Sequence, residues 1–327
     1  MKQTSVQRRN LMIAGAGLAL APPVLAQRSA GRVVKILVGF PPGQATDIVA
    51  RLMADRLGPI TGDNYVVENR PGQGGSIAMA QTARSPNDGS VMMLTHMSAV
   101  ATNPHLYKSV GYDSLKDYET VGLVGDLPFV LVCHPSLPCN NVQELIAYVK
   151  ANPGKLTNAS SGNGTVSHLA MEEFKRRAGI DIVHVPYKGS APGLADVVGG
   201  TVSVALETAA GVQAFVQGGK LRALGAATSK RLAAPLDVPT IAEQGFDNFQ
   251  AVTWLMLIYP AGTPKPLVDS TFDAMSKAMK TPEVEQKLLH AGAIPRYSNS
   301  PAEADALVKS EFKSWGEVVK RSGVRLD

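Results

Sequence analysis

The stretch VVKILVGFPPGQATDIVARLMADRL, residues 33–57, predicts a strand, a turn and a helix in succession. Residues 33–40 are mostly apolar and β-branched, which favours a buried strand, whereas apolar residues recur at helical spacing over 46–57. Residues 65–67 are extended and apolar again. This order is typical of a β-α-β unit, in which the two strands are parallel and the helix covers the sheet.

The same alternation continues along most of the chain. Further strands are predicted at 90–94, 129–133, 156–160, 182–185, 202–206 and 221–226. Asn141 followed by Glu144 forms a capping box, so a helix is expected over 141–151. Repeated units of this kind predict parallel sheets covered by helices on both faces.

The C-terminal third has a different character. After an apolar strand at 251–259 the chain becomes mostly helical. Ser300, Pro301 and Glu303 supply an N-cap, a first-turn proline and a returning acid, so a helix is predicted from Pro301 to about Arg321. This order predicts two lobes, with the second inserted into the first.

Lobe 1 is expected to comprise 27–129 plus 253–327, and lobe 2 to comprise 130–252. The length of 327 residues is ample for two domains. The crossing strands near 129–132 and 252–255 are the hinge candidates.

The first 26 residues have the pattern of an export signal. Arg8 and Arg9 precede an apolar run at 11–20, and Ala26 ends a small-x-Ala cleavage site. This predicts a periplasmic protein cleaved after Ala26, by either the secretory or the twin-arginine route. A membrane anchor is disfavoured because a bilayer span needs about 20 apolar residues.

Charge argues against a nucleic-acid partner. The formal net charge is +5, and removal of the leader takes away Lys2, Arg8 and Arg9 and lowers it to +2. The remaining basic residues are scattered, whereas a nucleic-acid binder concentrates them on one surface.

Cys133 and Cys139 flank a turn bounded by prolines. In an oxidising compartment such a pair predicts a disulfide, and the alternative is two small apolar residues at a strand end and a helix start. Closure of so short a loop would stabilise the fold by only about 2 kcal/mol. A metal site is disfavoured, because His134 between them provides no second ligand cluster.

Two glycine-bearing loops, 40–47 and 160–165, each follow an apolar strand and open a helix. The first N–H groups of a helix lack partners and its dipole is positive there, so such loops can hold an anion without Lys or Arg. Neither loop contains a cation. The alternative is that both are ordinary strand-to-helix turns. Open parallel sheets bind ligands at the carboxyl ends of their strands, which favours a ligand cleft.

Several enzyme signatures are missing from the sequence. Neither glycine-rich stretch completes the dinucleotide-binding pattern, and the chain has no G-x-S-x-G elbow and no H-E-x-x-H motif. Glu207 follows an apolar strand, where a carboxylate is costly unless it is solvated or paired.

The order and spacing of several segments resemble the periplasmic solute-binding proteins of tripartite tricarboxylate transporters, often called Bug-type receptors. The segments are 43–51, 67–72, 160–169, 185–189, 239–243 and 260–264, and the resemblance extends over about 34–326. It implies an α/β fold of the two-lobed periplasmic-binding-protein (Venus-flytrap, type II-like) class with a ligand cleft between the lobes.

The resemblance also implies a function. A small carboxylate ligand is expected to bind in the cleft through backbone amides and water and to pass to the membrane permease subunits of the transporter. No cofactor, no catalysis and a monomer are expected. The alternatives are an enzyme acting on a small carboxylic acid in the same cleft and a ligand sensor without transport.

Carried onto this sequence, the resemblance marks a set of ligand-binding residues. They are Phe40, Gly43, Thr46, Asp47, Ser160, Ser161, Asn163, Gly164 and His168, with Tyr187 and Glu207 nearby. Gln44 stands where the family usually has a second glycine, which predicts an altered ligand preference. Glu207 stands where an aspartate is common, and is expected to pair with a ligand amine or hydroxyl.

Overall fold

The computed structural model describes residues 31–232 and 236–322. The predicted signal peptide, 1–26, lies outside the described residues. Within the described ranges, no helix is both long enough and apolar enough to span a bilayer.

Ten strands and ten α-helices are formed by the described residues. The strands are β1 (Val33–Val38), β2 (Asn64–Asn69), β3 (Val91–His96), β4 (Tyr118–Cys133), β5 (Thr157–Ser160), β6 (Val183–Pro186), β7 (Val204–Thr208), β8 (Arg222–Ala226), β9 (Val252–Pro260) and β10 (Ile294–Pro295). The helices are α1 (Ala45–Thr61), α2 (Ser76–Ala83), α3 (Asn103–Leu106), α4 (Val142–Ala151), α5 (Val166–Ala178), α6 (Ser190–Val198), α7 (Ala209–Gln217), α8 (Lys265–Met279), α9 (Pro282–His290) and α10 (Pro301–Ser322).

The two predicted helix starts are confirmed. At α4, the Asn141 side chain accepts from the Glu144 backbone N–H at 2.9 Å. At α10, the Ser300 hydroxyl accepts from the Glu303 backbone N–H at 3.1 Å. Each bond satisfies one of the backbone donors that a helix start leaves without an intrahelical partner.

The long strand β4 belongs to two sheets. Its first part pairs with β9 and continues the order β2-β1-β3-β9-β4, whereas its last part, Phe129–Cys133, pairs with β7 and continues as β7-β5-β6. Strand β8 also pairs with the end of β4. The chain therefore passes from one sheet to the other along β4 and returns along β9.

The prediction of parallel sheets is correct for part of each sheet. Strand β1 runs parallel to β2 and β3, and β5 runs parallel to β6 and β7. It is wrong for β4 and β9, which are antiparallel to each other and to their other neighbours. The reason is that β4 leaves the first sheet and β9 returns to it, so the two strands run in opposite directions.

Helices cover both faces of both sheets, as the β-α-β pattern predicts. In the first sheet, α1 and α8 bury Val49 and Met275 on one face, and α2 buries Met79 on the other. In the second, α4 and α5 cover one face with Leu145 and Phe174, and α6 and α7 cover the opposite face.

Cys133 and Cys139 are both buried free thiols, so the predicted disulfide is not formed in this structure. The Cys133 Sγ lies 4.0 Å from the Cys139 carbonyl oxygen. The Arg222 guanidinium holds the intervening turn by donating to the carbonyls of Leu137 and Cys139, at 2.9 and 3.0 Å. Burial raises the pKa of the Cys133 thiol to about 12. Both cysteines lie in the apolar core, packed with the residues that α4 and α5 bury.

Candidate ligand-binding site

The N-termini of four helices, α1, α5, α6 and α7, meet at one cavity between the two sheets. Its empty space, including its opening, is about 430 Å³. Helices α1, α5 and α6 have no side-chain cap, so their first N–H groups are left for another partner. Since each helix start also carries roughly half a positive charge, the cavity has a positive potential that comes from the backbone.

The side chains that line the cavity are of two main kinds, hydroxyl-bearing and apolar. The hydroxyl groups belong to Thr46, Ser98, Ser161, Thr165, Ser190, Thr208 and Thr253, and the apolar side chains to Phe40, Ala45, Leu127, Phe129 and Val166. Gln44 and His96 complete the lining. Of the residues that the structure describes, no Lys or Arg lines the cavity, and none form a metal-binding cluster of His, Cys, Asp or Glu.

The first glycine loop is organised by Asp47, which is only 2% exposed. Its carboxylate accepts from the Gly43 backbone N–H at 2.9 Å, from the Arg51 guanidinium at 2.9 and 3.0 Å, and from the Asn69 amide at 2.9 Å. Burial alone would raise the pKa of Asp47, but these donors outweigh it and the pKa is lowered. Asp47 and Gly43 therefore shape the loop and do not line the cavity.

The second glycine loop is held by hydroxyl groups. The Ser161 backbone N–H donates to the Ser167 hydroxyl at 2.9 Å, and the Thr165 hydroxyl donates to the Gly162 carbonyl at 2.7 Å. Gly162 and Gly164 have φ values of +131° and +78°. Only glycine adopts the first of these readily, so the sharp turn into α5 depends on it.

His168 supports this loop from behind. Its Nδ1 accepts from the Gly164 backbone N–H at 3.1 Å, and its ring stacks on His184 with 4.1 Å between centroids. His184 Nε2 lies 2.6 Å from the Ser160 hydroxyl. Burial lowers the pKa of each histidine to about 4. His168 and Ser160, both predicted to contact the ligand, thus position the loop and do not line the cavity.

The second loop also contacts the segment that follows β3. The Thr102 hydroxyl donates to the Gly164 carbonyl at 3.1 Å, and the Tyr107 hydroxyl donates to the Asn163 carbonyl at 3.3 Å. Leu169 of α5 packs with Leu106 in the same region. These contacts join the two sides of the cleft.

An outer pocket lies next to the cavity and shares Phe40 and Ser161 with it. Its empty space is about 630 Å³, and its walls include Asn163, Tyr187 and the exposed Lys188. Two of the predicted site residues, Asn163 and Tyr187, are therefore placed in this outer pocket.

Glu207 lies behind the cavity wall and is 1% exposed. Its Oε2 accepts from the Ser190 hydroxyl at 2.8 Å and from the Thr208 backbone N–H at 3.2 Å, whereas its Oε1 has no partner among the described residues. Burial raises the pKa of this carboxyl, although these donors oppose the shift. Glu207 anchors two lining residues and does not itself reach the cavity, so the expected direct pairing with a ligand is not seen.

His96 lines the cavity and was missed by the sequence analysis. Its ring packs on Phe40 with 4.6 Å between centroids, and its Nε2 has no partner among the described residues. Burial lowers the pKa of His96 to about 3. The available signal was a polar residue at the carboxyl end of an apolar strand, the same signal that singled out Glu207.

Among the predicted residues, the structure brings Phe40, Gln44, Thr46 and Ser161 together at the cavity. Lining residues from other elements, such as Ser98, Ser190 and Thr253, had not been predicted. They follow β3, open α6 and lie on β9, where no glycine loop marks them.

The chain is similar to known proteins over nearly its whole length. Residues 49–324 match the model of the tripartite tricarboxylate transporter family receptor. Protein BugT of Bordetella pertussis is 35% identical over 317 residues, which are 97% of this chain and 96% of that protein.

The chain is also similar in structure to solved solute-binding proteins over most of its length. Rpa4515 of R. palustris, determined with adipate, is 33% identical, has a TM-score of 0.86 and is matched over 90% of this chain and 98% of that one. MatC from Rhodopseudomonas palustris, with bound malate, is 30% identical, has a TM-score of 0.82 and is matched over 88% of this chain and 99% of that one. The expected two-lobed periplasmic-binding-protein fold is thereby confirmed. The chain therefore belongs to the tripartite tricarboxylate transporter receptor family.

Proposed function

We propose that this protein is an extracytoplasmic receptor that captures a small carboxylate-bearing molecule for a tripartite tricarboxylate-type transporter. The observation that carries the proposal is the meeting of four helix N-termini, three without side-chain caps, at one cavity. Unpaired N–H groups and aligned dipoles favour an anion there. The adipate and malate bound to two similar proteins are consistent with a carboxylate.

The ligand carboxylate would lie between the starts of α1 and α5. Thr46 on one side and Ser161 on the other provide hydroxyl groups beside the free N–H groups. A carboxylate that accepts from both sides would stabilise the closed arrangement over an open one, because only the closed arrangement brings both sets of donors to it.

The two moving units would be the predicted lobes, 27–129 plus 253–327 and 130–252. In support, the sheets are joined through β4 and β9, which pair along their length. Next to this pairing, the Phe129 backbone N–H donates to the Ala251 carbonyl at 3.1 Å. Strand segments near 129–132 and 252–255 would act as the hinge.

Binding would occur without catalysis. The described part of the cavity lining contains one titratable side chain, His96, and burial keeps it neutral by lowering its pKa to about 3. The Ser160 hydroxyl and His184 Nε2 are 2.6 Å apart, but neither lines the cavity. A nucleophile with an adjacent base, which covalent catalysis requires, is thus missing from the described lining.

Proteins of this family are periplasmic solute receptors. We further infer that residues 1–26 are removed after export and that the mature monomer delivers its ligand to a membrane permease pair. A sensor that uses the same cleft without transport is the second candidate.

Isothermal titration calorimetry of protein beginning at Gln27 tests the proposal. The panel comprises mono-, di- and tricarboxylic acids, each paired with its neutral amide as a matched control. At least one acid is expected to bind saturably at one site, with its amide bound at least about tenfold more weakly because the charge is lost. Equal binding of acid and amide, or conversion of the acid detected by mass spectrometry, would contradict the proposal.

A further inference from the structure

Gln44 closes the cavity where it meets the outer pocket. Gln44 lines the cavity, whereas Gly189 lines the outer pocket, and the two residues face each other across the cleft. A Cβ built on Gly189 would overlap the Gln44 amide nitrogen and would lie 3.3 Å from Pro41 Cδ. The three residues form a boundary that we name the Gln44–Gly189 partition.

The direction of the Gln44 side chain has a local cause. Gln44 is the N-cap residue of α1, with φ −80° and ψ 161°, but its side chain makes no capping bond. It extends across the cleft, and its Nε2 is buried without a hydrogen-bond partner among the described residues. Gly189 has φ +117°, a conformation that a residue with a side chain rarely adopts. The space that Gly189 leaves is filled by the Gln44 amide.

The partition lies next to Ser190, one of the residues that line the cavity. Ser190 follows Gly189, opens α6 and lines the cavity, and its hydroxyl donates to Glu207 at 2.8 Å. Gln44 is the N-cap of α1 and Gly189 is the N-cap of α6, so a ligand whose carboxylate lies between the starts of α1 and α5 would lie beside the Gln44 side chain. A buried amide N–H without a hydrogen-bond partner destabilises the protein, so an acceptor on the ligand would supply the missing hydrogen bond.

We propose that Gln44 is a specificity-determining residue: it limits how far the ligand can extend toward the outer pocket and donates its amide N–H to a second acceptor on the ligand. This inference rests on the proposed function. The class of ligand is a short acid with a second oxygen acceptor, such as a short dicarboxylate or a hydroxy acid. A longer chain would collide with the partition, because the Gln44 amide fills the space beside Gly189 between the cavity and the outer pocket.

The test compares Gln44→Gly with Gln44→Met. Glycine removes the partition and is acceptable at an N-cap position. Methionine keeps a side chain of similar length and removes the amide, both its donor and its acceptor. Calorimetric titrations with the series of α,ω-dicarboxylic acids from malonate to suberate give, for each variant, the ratio of affinities for the longest and the shortest acids. Thermal unfolding of each variant verifies that it is folded.

The expected results separate the two roles of Gln44. Gln44→Gly should raise the long-to-short affinity ratio by about tenfold or more, since two or three extra methylenes become buried, each worth about fourfold. Gln44→Met should weaken the short acids by about three- to tenfold through loss of one hydrogen bond. It should not strengthen the long acids, because its side chain still occupies the partition, whereas Gln44→Gly should strengthen them.

An unchanged ratio in Gln44→Gly, or an equal change in both variants, would overturn the inference while the proposed function stands. If the wild-type protein binds no acid of the series and no other carboxylate, the proposed function fails and the inference fails with it.

Discussion

The Nδ1 atom of His168 accepts a hydrogen bond from the backbone N–H of Gly164, 3.1 Å away. An imidazole can accept at this nitrogen only while the ring is neutral. Burial, followed by the nearby charge of Lys175, keeps the ring neutral by lowering its pKa to about 4. The shape of the second glycine loop therefore depends on a proton being absent from a buried side chain.

This relationship predicts an acid-sensitive fold. The folded-state pKa of His168 is about 4 against an ordinary value of 6.5, so the unfolded chain binds the proton more strongly. Above about pH 6.5 the titration of His168 does not affect the free energy of unfolding. As the pH drops toward 4, protonation of His168 lowers the free energy of unfolding by on the order of 2–3 kcal/mol. Urea unfolding of wild type and His168→Asn from pH 4 to 7 measures the effect.

Asparagine places an acceptor near the Nδ1 position and does not titrate, so His168→Asn should show a shallower loss of unfolding free energy with acid. His290→Asn, on the exposed end of α9, is the control and should match wild type. Identical pH slopes for wild type and His168→Asn would refute the assignment.

Asp47 is predicted to stabilise the first glycine loop in its ionised form. Asp47→Asn should lower the free energy of unfolding by about 2 kcal/mol at neutral pH, because charge-assisted bonds to Arg51 and the Gly43 N–H are lost. The lowered pKa of Asp47 means that this stabilisation is present above the ordinary carboxyl pKa and is lost as the pH falls.

The matched control for Asp47 is Asp305→Asn, which breaks an exposed i,i+4 pair with Lys309. Exposed pairs of this kind contribute about 0.3–0.5 kcal/mol. Chemical denaturation of both variants decides the point: equal losses would show that the Asp47 network has no special role.

Glu207 is predicted to tolerate neutralisation. Its pKa is raised by burial, so wild-type stability declines as the pH rises and the carboxyl ionises. Glu207→Gln keeps an acceptor for the Ser190 hydroxyl and removes the charge, so it should lessen this decline and strengthen binding of anionic ligands by a few-fold. Denaturation from pH 5 to 9 and calorimetry are the measurements, with the exposed Glu317→Gln as the control. A weaker-binding or strongly destabilised Glu207→Gln variant would contradict this view.

His96 is predicted to bind as a neutral ring. Since burial lowers its pKa to about 3, ligand affinity should change by less than about threefold between pH 8 and pH 6, the range in which an ordinary imidazole gains its charge. Calorimetry in buffers of different ionisation enthalpy would also show no proton uptake. Uptake of close to one proton per ligand, with tighter binding at pH 6, would assign a cationic role to His96 instead.

Local patterns predicted much of the fold. The capping residues Asn141 and Ser300 set the starts of α4 and α10, because a cap depends only on residues within one turn. The antiparallel pairing of β4 with β9 could not be predicted in this way. It depends on where the chain re-enters the first sheet after more than a hundred residues.

The candidate site shows the same division. Thr46 and Ser161 were predicted because they belong to loops that open helices, and they do line the cavity. Asp47 belongs to the same kind of loop, but its carboxylate binds Arg51 and Asn69 and does not face the cavity. The direction of this side chain depends on Asn69, which is distant in sequence, so a local pattern could not predict it. Thr253 reaches the cavity from β9, which no local motif connects to the glycine loops.

The cavity owes its positive potential to peptide groups at helix starts, with no Lys or Arg in its described lining. Peptide groups are common to all twenty amino acids, so point mutations among uncharged residues can reshape the walls and alter which acid fits, yet leave the preferred sign of charge intact. Diversification of cargo within such a scaffold is therefore easy, whereas conversion to a receptor for cations would require negative charge in the lining that outweighs the helix starts.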